Sequence, residues 1–314
     1  MRVLVLTNMY PTTEKPWFGI FVAEQVEDLG GVGVDTDVLS FDGTRNRFEY
    51  LRARRALGRR LSAGDVDLVH AHYGLTGAVA VSRRSRPVVT TFHGGDYTGL
   101  TRWHAAVSRL VARRCTPVVV SPEGARRLGC PRAHVIPAGV DTERFVPRDR
   151  VESRRALGWE VQPPYALLLG ARGLQNKRAD LFDAGVALAR ETVPELRAMS
   201  LEGFSRDEVV LVMNAVDVAV MCSDTEGSPV AVREALACCT PVVGVPVGDV
   251  AGVLDGLPGC AVVERSPRAL AEGIVAALSA ARAPELRERA ESTSRRAVAA
   301  RLVALYDEIL AGHA

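Results

Sequence analysis

The chain has 314 residues and 47% hydrophobic content, enough for two domains with buried cores, and its formal net charge of +2 singles out no class of partner. Six cysteines, at 115, 130, 222, 238, 239 and 260, form no CxxC pair and no Cys/His metal spacing, which excludes a disulfide scaffold and a zinc module and leaves buried thiols in a reducing cytoplasm. The opening MRVLVLTN lacks the layout of a signal peptide, and no apolar run reaches the roughly 18 residues that span a bilayer, so a cytoplasmic protein is expected.

Short aliphatic runs at 3–6, 36–39, 68–71, 88–92, 118–121 and 134–136 read as buried parallel strands. Helical segments at 19–29, 48–61, 77–82 and 103–114 separate most of them. That alternation specifies an α/β doubly wound sheet. A polar, proline-bearing stretch at 147–164 is expected to be a linker. The pattern restarts with strands at 165–170, 197–201, 217–222, 241–245 and 260–263, a second and smaller α/β unit. A final helical run, 285–310, is expected to cross back to the first domain. The expected division is therefore 1–150, 151–284 and the helical segment 285–314. Residues 1–150 carry a net charge of +7 and the remainder −5, so the two halves are expected to meet different partners.

Seven arginines lie between Arg45 and Arg60. As a helix, this segment is expected to turn Phe48, Leu51 and Leu61 inward and to leave Arg52, Arg55 and Arg59 on an outer face. That face is either a solvated surface or a patch for an anionic acceptor or an acidic membrane. Nucleic acid is not favoured, because no aromatic residues are interleaved for base stacking.

In doubly wound sheets, ligands sit at loops beyond the carboxyl ends of strands, and two such domains are expected to face each other across a cleft. Four loops at such positions carry polar candidates. TNMYPTTEKPWFGIF follows the first strand and ends at Gly19 before a helix. HGGD, with His93 and Asp96, follows 88–92. GARGLQNKR, with Arg172 and Lys177, follows 165–169. SDTEGSP follows 217–222 and leads into a helix. There Glu226 and Glu234 stand eight residues apart, one on either side of Gly227, Ser228, Pro229 and Val230. Serine as a cap and proline in the first turn mark a helix start, whose free N–H groups and dipole suit a phosphate. Glu234 is expected about two turns in. On spacing alone, the alternative is a pair of solvated glutamates. His70 and His72 alternate on a strand end, and two histidines without a third ligand do not argue a metal.

Taken together, these segments resemble glycosyltransferase family 4, a retaining, nucleotide-sugar-dependent family of the two-domain GT-B fold. Glu226 and Glu234 match the family's glutamate pair. ACCTPVV resembles its AxGxPVV, with Cys239 in place of glycine. VIPAGVD at 135–141 resembles VIPNGVD, with Ala138 in place of asparagine. GARGLQNKR resembles the segment that gives a basic pair to the donor pyrophosphate, and TFHGGD the histidine loop. The resemblance implies that His93 and Glu226 meet the transferred sugar, that Glu234 accepts from the ribose, and that Arg172 and Lys177 stabilise the leaving diphosphate. Gly19 is expected either to let donor or acceptor approach the backbone or simply to start the helix, and Asp96, on the acceptor side, to orient His93 or to cap the next helix. No metal cofactor is expected. The acceptor is anionic, lipid-linked or a natural product, with peripheral membrane contact and no nucleic acid. One departure stands out: between Lys177 and Asp217 only one strand, 197–201, is evident, so the second domain is expected to be trimmed. Two alternatives stay open, a non-catalytic sugar-nucleotide-binding partner and a sugar-nucleotide epimerase of the same fold.

Overall fold

The computed structural model describes residues 1–15, 17–43, 45–83, 85–98 and 101–312, so Pro16 of the first candidate loop lies outside the described residues. Two units divide the chain. The first is Met1–Ala138 with Arg295–Ala314, and the second is Gly139–Ser294.

In the first unit the chain runs β1 (Arg2–Thr7), α1 (Ile20–Gly31), β2 (Asp35–Ser40), α2 (Phe48–Ser62), β3 (Leu68–His72), α3 (Gly74–Val81), β4 (Val88–Phe92), α4 (Gly95–Thr98), α5 (Arg102–Ala112), β5 (Thr116–Val119), α6 (Pro122–Leu128) and β6 (His134–Val135). The strands form one parallel sheet in the order β2-β1-β3-β4-β5-β6. Sheet faces explain the unbroken Val/Leu runs. Leu4 and Leu6 pack with Ala53, Leu57, Val79 and Val111 of α2, α3 and α5, whereas Val3 and Val5 pack on the other face with Val22 and Leu29 of α1. A strand covered on both faces favours apolar side chains at every position.

The helical phase of α2 differs from the expected one. Leu61 is buried as expected, but Phe48 and Leu51 are 56% and 57% exposed, and Ala53 and Leu57 turn inward instead. At 3.6 residues per turn, Leu51 points about 200° away from Ala53, so both cannot face the sheet.

The second unit runs α7 (Arg150–Ala156), β7 (Tyr165–Leu168), a 3-10 turn (Gln175–Lys177), α8 (Ala179–Ala189), β8 (Arg197–Ser200), α9 (Arg206–Ala215), β9 (Val218–Met221), α10 (Val230–Ala237), β10 (Val242–Gly244), α11 (Val250–Leu254), β11 (Ala261–Val262), α12 (Pro267–Leu278) and α13 (Pro284–Glu291). Its parallel sheet has five strands in the order β11-β10-β9-β7-β8, against six in the first unit, and β8 is the one strand between Lys177 and Asp217.

The stretch expected to be a linker contains a packed helix. Asp149 caps α7 by accepting the Glu152 N–H at 2.8 Å. Arg154 is buried, donating to Ala215 O at 2.8 Å and to Asp217 Oδ2 at 2.5 Å. A buried guanidinium with a carboxylate and a carbonyl to satisfy is held by the core, not by solvent. The boundaries accordingly fall at 138/139 and 294/295, where 150/151 and 284/285 are expected from sequence. Residues 139–145 and α13 are tied into the second unit together: Arg287 donates to Phe145 O and Ala237 O at 3.0 Å, and Val140 N–H reaches Thr293 O at 3.0 Å.

The final helical run is two helices, α13 and then α14 (Arg295–Ala311). Ser292, Thr293 and Ser294 separate them. The hydroxyls of Ser292 and Thr293 donate to carbonyls three residues back, at 2.7 and 3.1 Å. Such side chains compete with the helical ladder. Beyond the break, α14 joins the first unit. Arg295 pairs with Asp28 and Glu27 at 2.8 and 2.7 Å, and Leu302, Leu305 and Tyr306 cover the face formed by Val3, Val5 and Leu68.

Cys239 follows the end of α10 in the left-handed region, at φ 57°. An L side chain there costs about 1–2 kcal/mol, which explains why glycine suits the position. Cys239→Gly should therefore stabilise the chain by about 1 kcal/mol in urea unfolding.

Candidate active site

Strand order reverses at one place in each sheet, between β1 and β3 in the first unit and between β7 and β9 in the second. Beyond such a reversal, adjacent loops leave in opposite directions and open a crevice.

In the second unit the crevice loops are 169–178 and 222–229, and they are fastened together. Asp224 N–H donates to Asn176 O at 2.8 Å, and Cys222 Sγ lies 3.4 Å from the carbonyls of Lys177 and Arg178. Asp224 also accepts from Arg178 and Arg265, each at 3.1 Å. Arg178 takes φ 55° to end the 3-10 turn. Lys177 then crosses Gly170, where a Cβ would stand 2.7 Å from its Cδ, and its Nζ donates to Glu226 Oε1 at 2.6 Å. Thus Lys177 and Glu226, far apart in sequence, share one partly buried ion pair. Arg172 does not join them. Its guanidinium donates to both oxygens of Asp183, at 2.7 and 2.9 Å, while its backbone N–H donates to Glu202 at 3.1 Å.

The start of α10 also departs from expectation. The helix opens at Val230, with Pro229 in the cap position and no side-chain cap. The Ser228 hydroxyl donates instead to Asp249 Oδ2 at 2.9 Å, an oxygen shared with Arg233. Arg233 is 2% exposed, and a cation so buried requires that carboxylate. Gly248, at φ 59°, lets its backbone lie against the loop: a Cβ there would meet Gly227 O at 2.6 Å. Glu234 therefore sits one turn into α10. It is 4% exposed and paired at 2.6 Å with Arg206, a partner that sequence spacing did not indicate.

In the first unit, His93 follows β4 and stacks on His72, with Nε2 of His93 3.1 Å from Nδ1 of His72. Tyr73 and Phe21 complete its surroundings, with ring centroids at 4.7 and 4.9 Å. His70 stacks in turn on His72 and bonds Tyr306 OH at 2.6 Å and Thr91 Oγ1 at 2.7 Å. The alternation His-Ala-His on β3 and the adjacency of β3 and β4 are the sequence signal for this column. His72 Nδ1 and His93 Nε2 engage each other, and no group of three or more metal-ligating side chains occurs among the described residues. Asp96 is 3% exposed and accepts the N–H groups of Gly74 and His93, each at 2.8 Å. It braces the histidine loop against α3 and offers no open face to an acceptor. Gly19, at φ 72°, fits because a Cβ would stand 2.5 Å from Met9 C and O. Close approach to the chain's own backbone accounts for this glycine. Arg52 pairs with Glu49 at 2.6 Å on the outer side of α2, and Arg52, Arg55 and Arg59 line a shallow groove of about 450 Å³ with Phe41 and Leu39.

Two parallel α/β units, each with its polar loops at a strand-order reversal, define the two-domain GT-B architecture of glycosyltransferases. Residues 2–144 match the family described as Glycosyltransferase Family 4, and residues 174–280 match that described as Glycosyl transferases group 1. The chain belongs to the GT-B glycosyltransferases of family 4. A relative named as a teichuronic acid biosynthesis glycosyltransferase, TuaC of Bacillus subtilis (strain 168), is 25% identical over 87% of this chain and 88% of its own length. The D-inositol 3-phosphate glycosyltransferase of Xylanimonas cellulosilytica is 31% identical over 69% of this chain and 65% of its own. Sucrose-phosphate synthase from Thermosynechococcus elongatus shares the fold at a TM-score of 0.77 and 16% identity, covering 99% of both chains. Anabaena Alr3699/HepE, solved in complex with UDP and glucose, does so at 0.71 and 14%, covering 98% of this chain and 99% of its own.

Burial sets the acid response of the histidine column. It lowers His93 to about 4 and His70 to about 3, with His72 also held well below 6.5, and it raises Asp96 to about 7. Between pH 6.5 and 4 the unfolded chain protonates three imidazoles that the fold keeps neutral, so stability falls as pH drops. Asp96 acts in the opposite sense, because it holds a proton in the fold that the unfolded chain releases above 3.8. Three groups outweigh one. Unfolding free energy should fall by roughly 2–4 kcal/mol from pH 7 to 5, and Asp96→Asn should steepen that loss in urea titrations.

Proposed function

We propose that the chain transfers a sugar from a nucleotide-diphosphate sugar to an acceptor hydroxyl, with retention of configuration and without a metal cofactor. The observation that carries the donor assignment is the 2.6 Å pair of Lys177 and Glu226 at the strand-order reversal of the second sheet. In this reading the diphosphate lies at the uncapped start of α10, against the backbone of Gly227, Ser228, Pro229 and Val230. Negative charge grows on its oxygens as the glycosidic bond breaks. Lys177 and the helix end stabilise that charge, and stabilisation that grows with the charge lowers the barrier. Arg172 joins them by leaving Asp183, an exchange of one exposed anion for a more highly charged one. Glu234 accepts from the ribose. Glu226, released by Lys177, meets the transferred sugar. Retention is carried by the family resemblance of 226–234. The solved structure of Anabaena Alr3699/HepE with UDP and glucose supports a nucleotide-sugar donor.

Calorimetry with UDP, GDP, dTDP and ADP should detect binding of at least one nucleotide. Glu234→Gln should weaken it about tenfold or more, the scale of a charge-assisted hydrogen bond. Glu226→Gln should mainly lower turnover, and wild-type turnover should persist in EDTA. Binding of none of the four would end the donor assignment, and loss of turnover in EDTA, restored by magnesium, would end the metal-free one.

For the acceptor we propose an anionic, lipid-linked molecule met by a cytoplasmic enzyme at the inner face of a membrane. No helix among the described residues is long and apolar enough to cross a bilayer, so contact would be peripheral. Phe48 and Leu51 stand exposed beside Arg52, Arg55 and Arg59 on α2, the pairing of apolar and basic groups that suits an acidic interface. Teichuronic acid and D-inositol 3-phosphate, in the names of the relatives, are themselves anionic. Vesicles containing phosphatidylglycerol should co-sediment the protein at 0.05 M salt and release it at 1 M, where the Debye length is about 3 Å. Replacing Arg52, Arg55 and Arg59 together by Gln should reduce the bound fraction severalfold. A wild type that ignores these vesicles at low salt would favour a small soluble acceptor.

A further inference from the structure

We propose that Arg206 is a positioning residue that sets the Glu234 carboxylate for the donor ribose, an inference that rests on the donor reading above. Arg206 is the first residue of α9, where the helix dipole disfavours a cation. Every other side chain of that turn follows the local rules. Ser205 and Glu208 form a reciprocal capping box, and Asp207 places a negative charge near the N-terminus, paired with Arg144 at 2.7 Å. The lone basic residue is spent on a target outside the helix. Its Nη2 donates to Glu234 Oε1 at 2.6 Å, and its guanidinium lies over the Phe145 ring at 4.8 Å.

Both partners are immobilised on the sides that matter. Phe145 is fully buried, so the ring is a fixed platform. The preceding Arg144 comes from the same short turn and grips Asp207, so residues 144–145 hold the start of α9 at two points. A guanidinium lying on an aromatic face keeps its in-plane donors at the edge, aimed at a carboxylate. Glu234 is 5% exposed at its side chain, whereas Arg206 remains 44% exposed. The cation therefore stands at the solvent side of a carboxylate that the core holds from behind. A buried carboxylate without its counter-charge would carry a large desolvation cost and would shift or protonate. The contact with Arg206 supplies that counter-charge and orients the carboxylate as an acceptor for hydroxyl groups.

The test separates positioning from general support. UDP, GDP, dTDP and ADP are titrated in turn into wild type, Arg206→Gln, Arg206→Lys, Glu234→Gln and the Arg206→Gln/Glu234→Gln double variant, with inorganic pyrophosphate as a ligand that has no ribose. Thermal unfolding of each variant reports whether the fold is retained. Arg206→Gln should weaken the nucleotide that wild type binds by about tenfold, with Arg206→Lys recovering part of it. Pyrophosphate affinity should be unchanged. In the Glu234→Gln background the Arg206 substitution should have little further effect, because the two residues act as one unit. Unchanged or tighter nucleotide binding by Arg206→Gln overturns the inference, as do additive losses or a parallel loss of pyrophosphate. If Glu234→Gln alone binds nucleotide like wild type, the donor role of Glu234 fails, and the inference fails with it. A wild type that binds none of the four nucleotides overturns both.

Discussion

Reversal of strand order between β7 and β9 is the constraint from which the candidate site of the second unit follows. Once β9 returns to the opposite side of β7 from β8, the loops leaving β7 and β9 must part, and the gap between them cannot be closed by another crossover. Everything polar at that edge is then organised by a few backbone ties. The Asp224–Asn176 hydrogen bond and the left-handed turn at Arg178 bring Lys177 to Glu226. Gly170 and Gly248 are small where a side-chain stem or a neighbouring backbone needs the room.

Charge is stored at this edge in pairs. Lys177 holds Glu226, Arg206 holds Glu234, Arg233 holds Asp249, and Arg172 holds Asp183. The four pairs differ in burial, and burial decides how easily each is exchanged. Arg172 and Asp183 are both open to water, where such a contact contributes little and is readily traded. The Arg233–Asp249 pair has its arginine in the core and its carboxylate partly buried, and it fixes the loop of Ser228 to the body of the unit. Between these extremes stand Lys177–Glu226 and Arg206–Glu234, firm enough to preorganise a site and open enough to be approached.

Much of this was legible in the sequence because parallel sheets write a simple pattern. Strands buried on both faces have nowhere to hide a charge, so Val3 to Leu6 or Val218 to Met221 could scarcely be read otherwise. Loops at strand ends are equally plain, which is why His93, Lys177 and Glu226 stand out as candidates, with Glu234 in the helix that follows. Where the structure departs from the sequence reading, the reasons are tertiary. The phase of α2 was set by Ala53 and Leu57, not by the larger Phe48 and Leu51. The polar stretch at 147–164 hides a core arginine, Arg154, whose partner Asp217 lies far along the chain. Ser228 carries the cap signature, yet the demand of buried Arg233 and Asp249 outweighed the local preference. The Asp96 carboxylate turns inward to the amides of Gly74 and His93, so it braces the histidine loop, one of the two roles its position suggests. Arg206 was missed because nothing local distinguishes a helix-start arginine from a solvated one.

The membership of α14 in the first unit has a consequence for biosynthesis. Tyr306, which hydrogen-bonds His70, and Leu302, which lies on the face of Val3 and Leu68, are translated only after the whole of the second unit. At 5–20 residues per second, the ribosome needs roughly ten to thirty seconds to make the intervening residues 139–294. For that interval the nascent first unit must wait with α1 but not α14 on one face of its sheet and His70 without its Tyr306 partner, while the five-stranded second unit is made. Order of synthesis and order of completion are thus inverted, and the half that emerges first is the last to be finished.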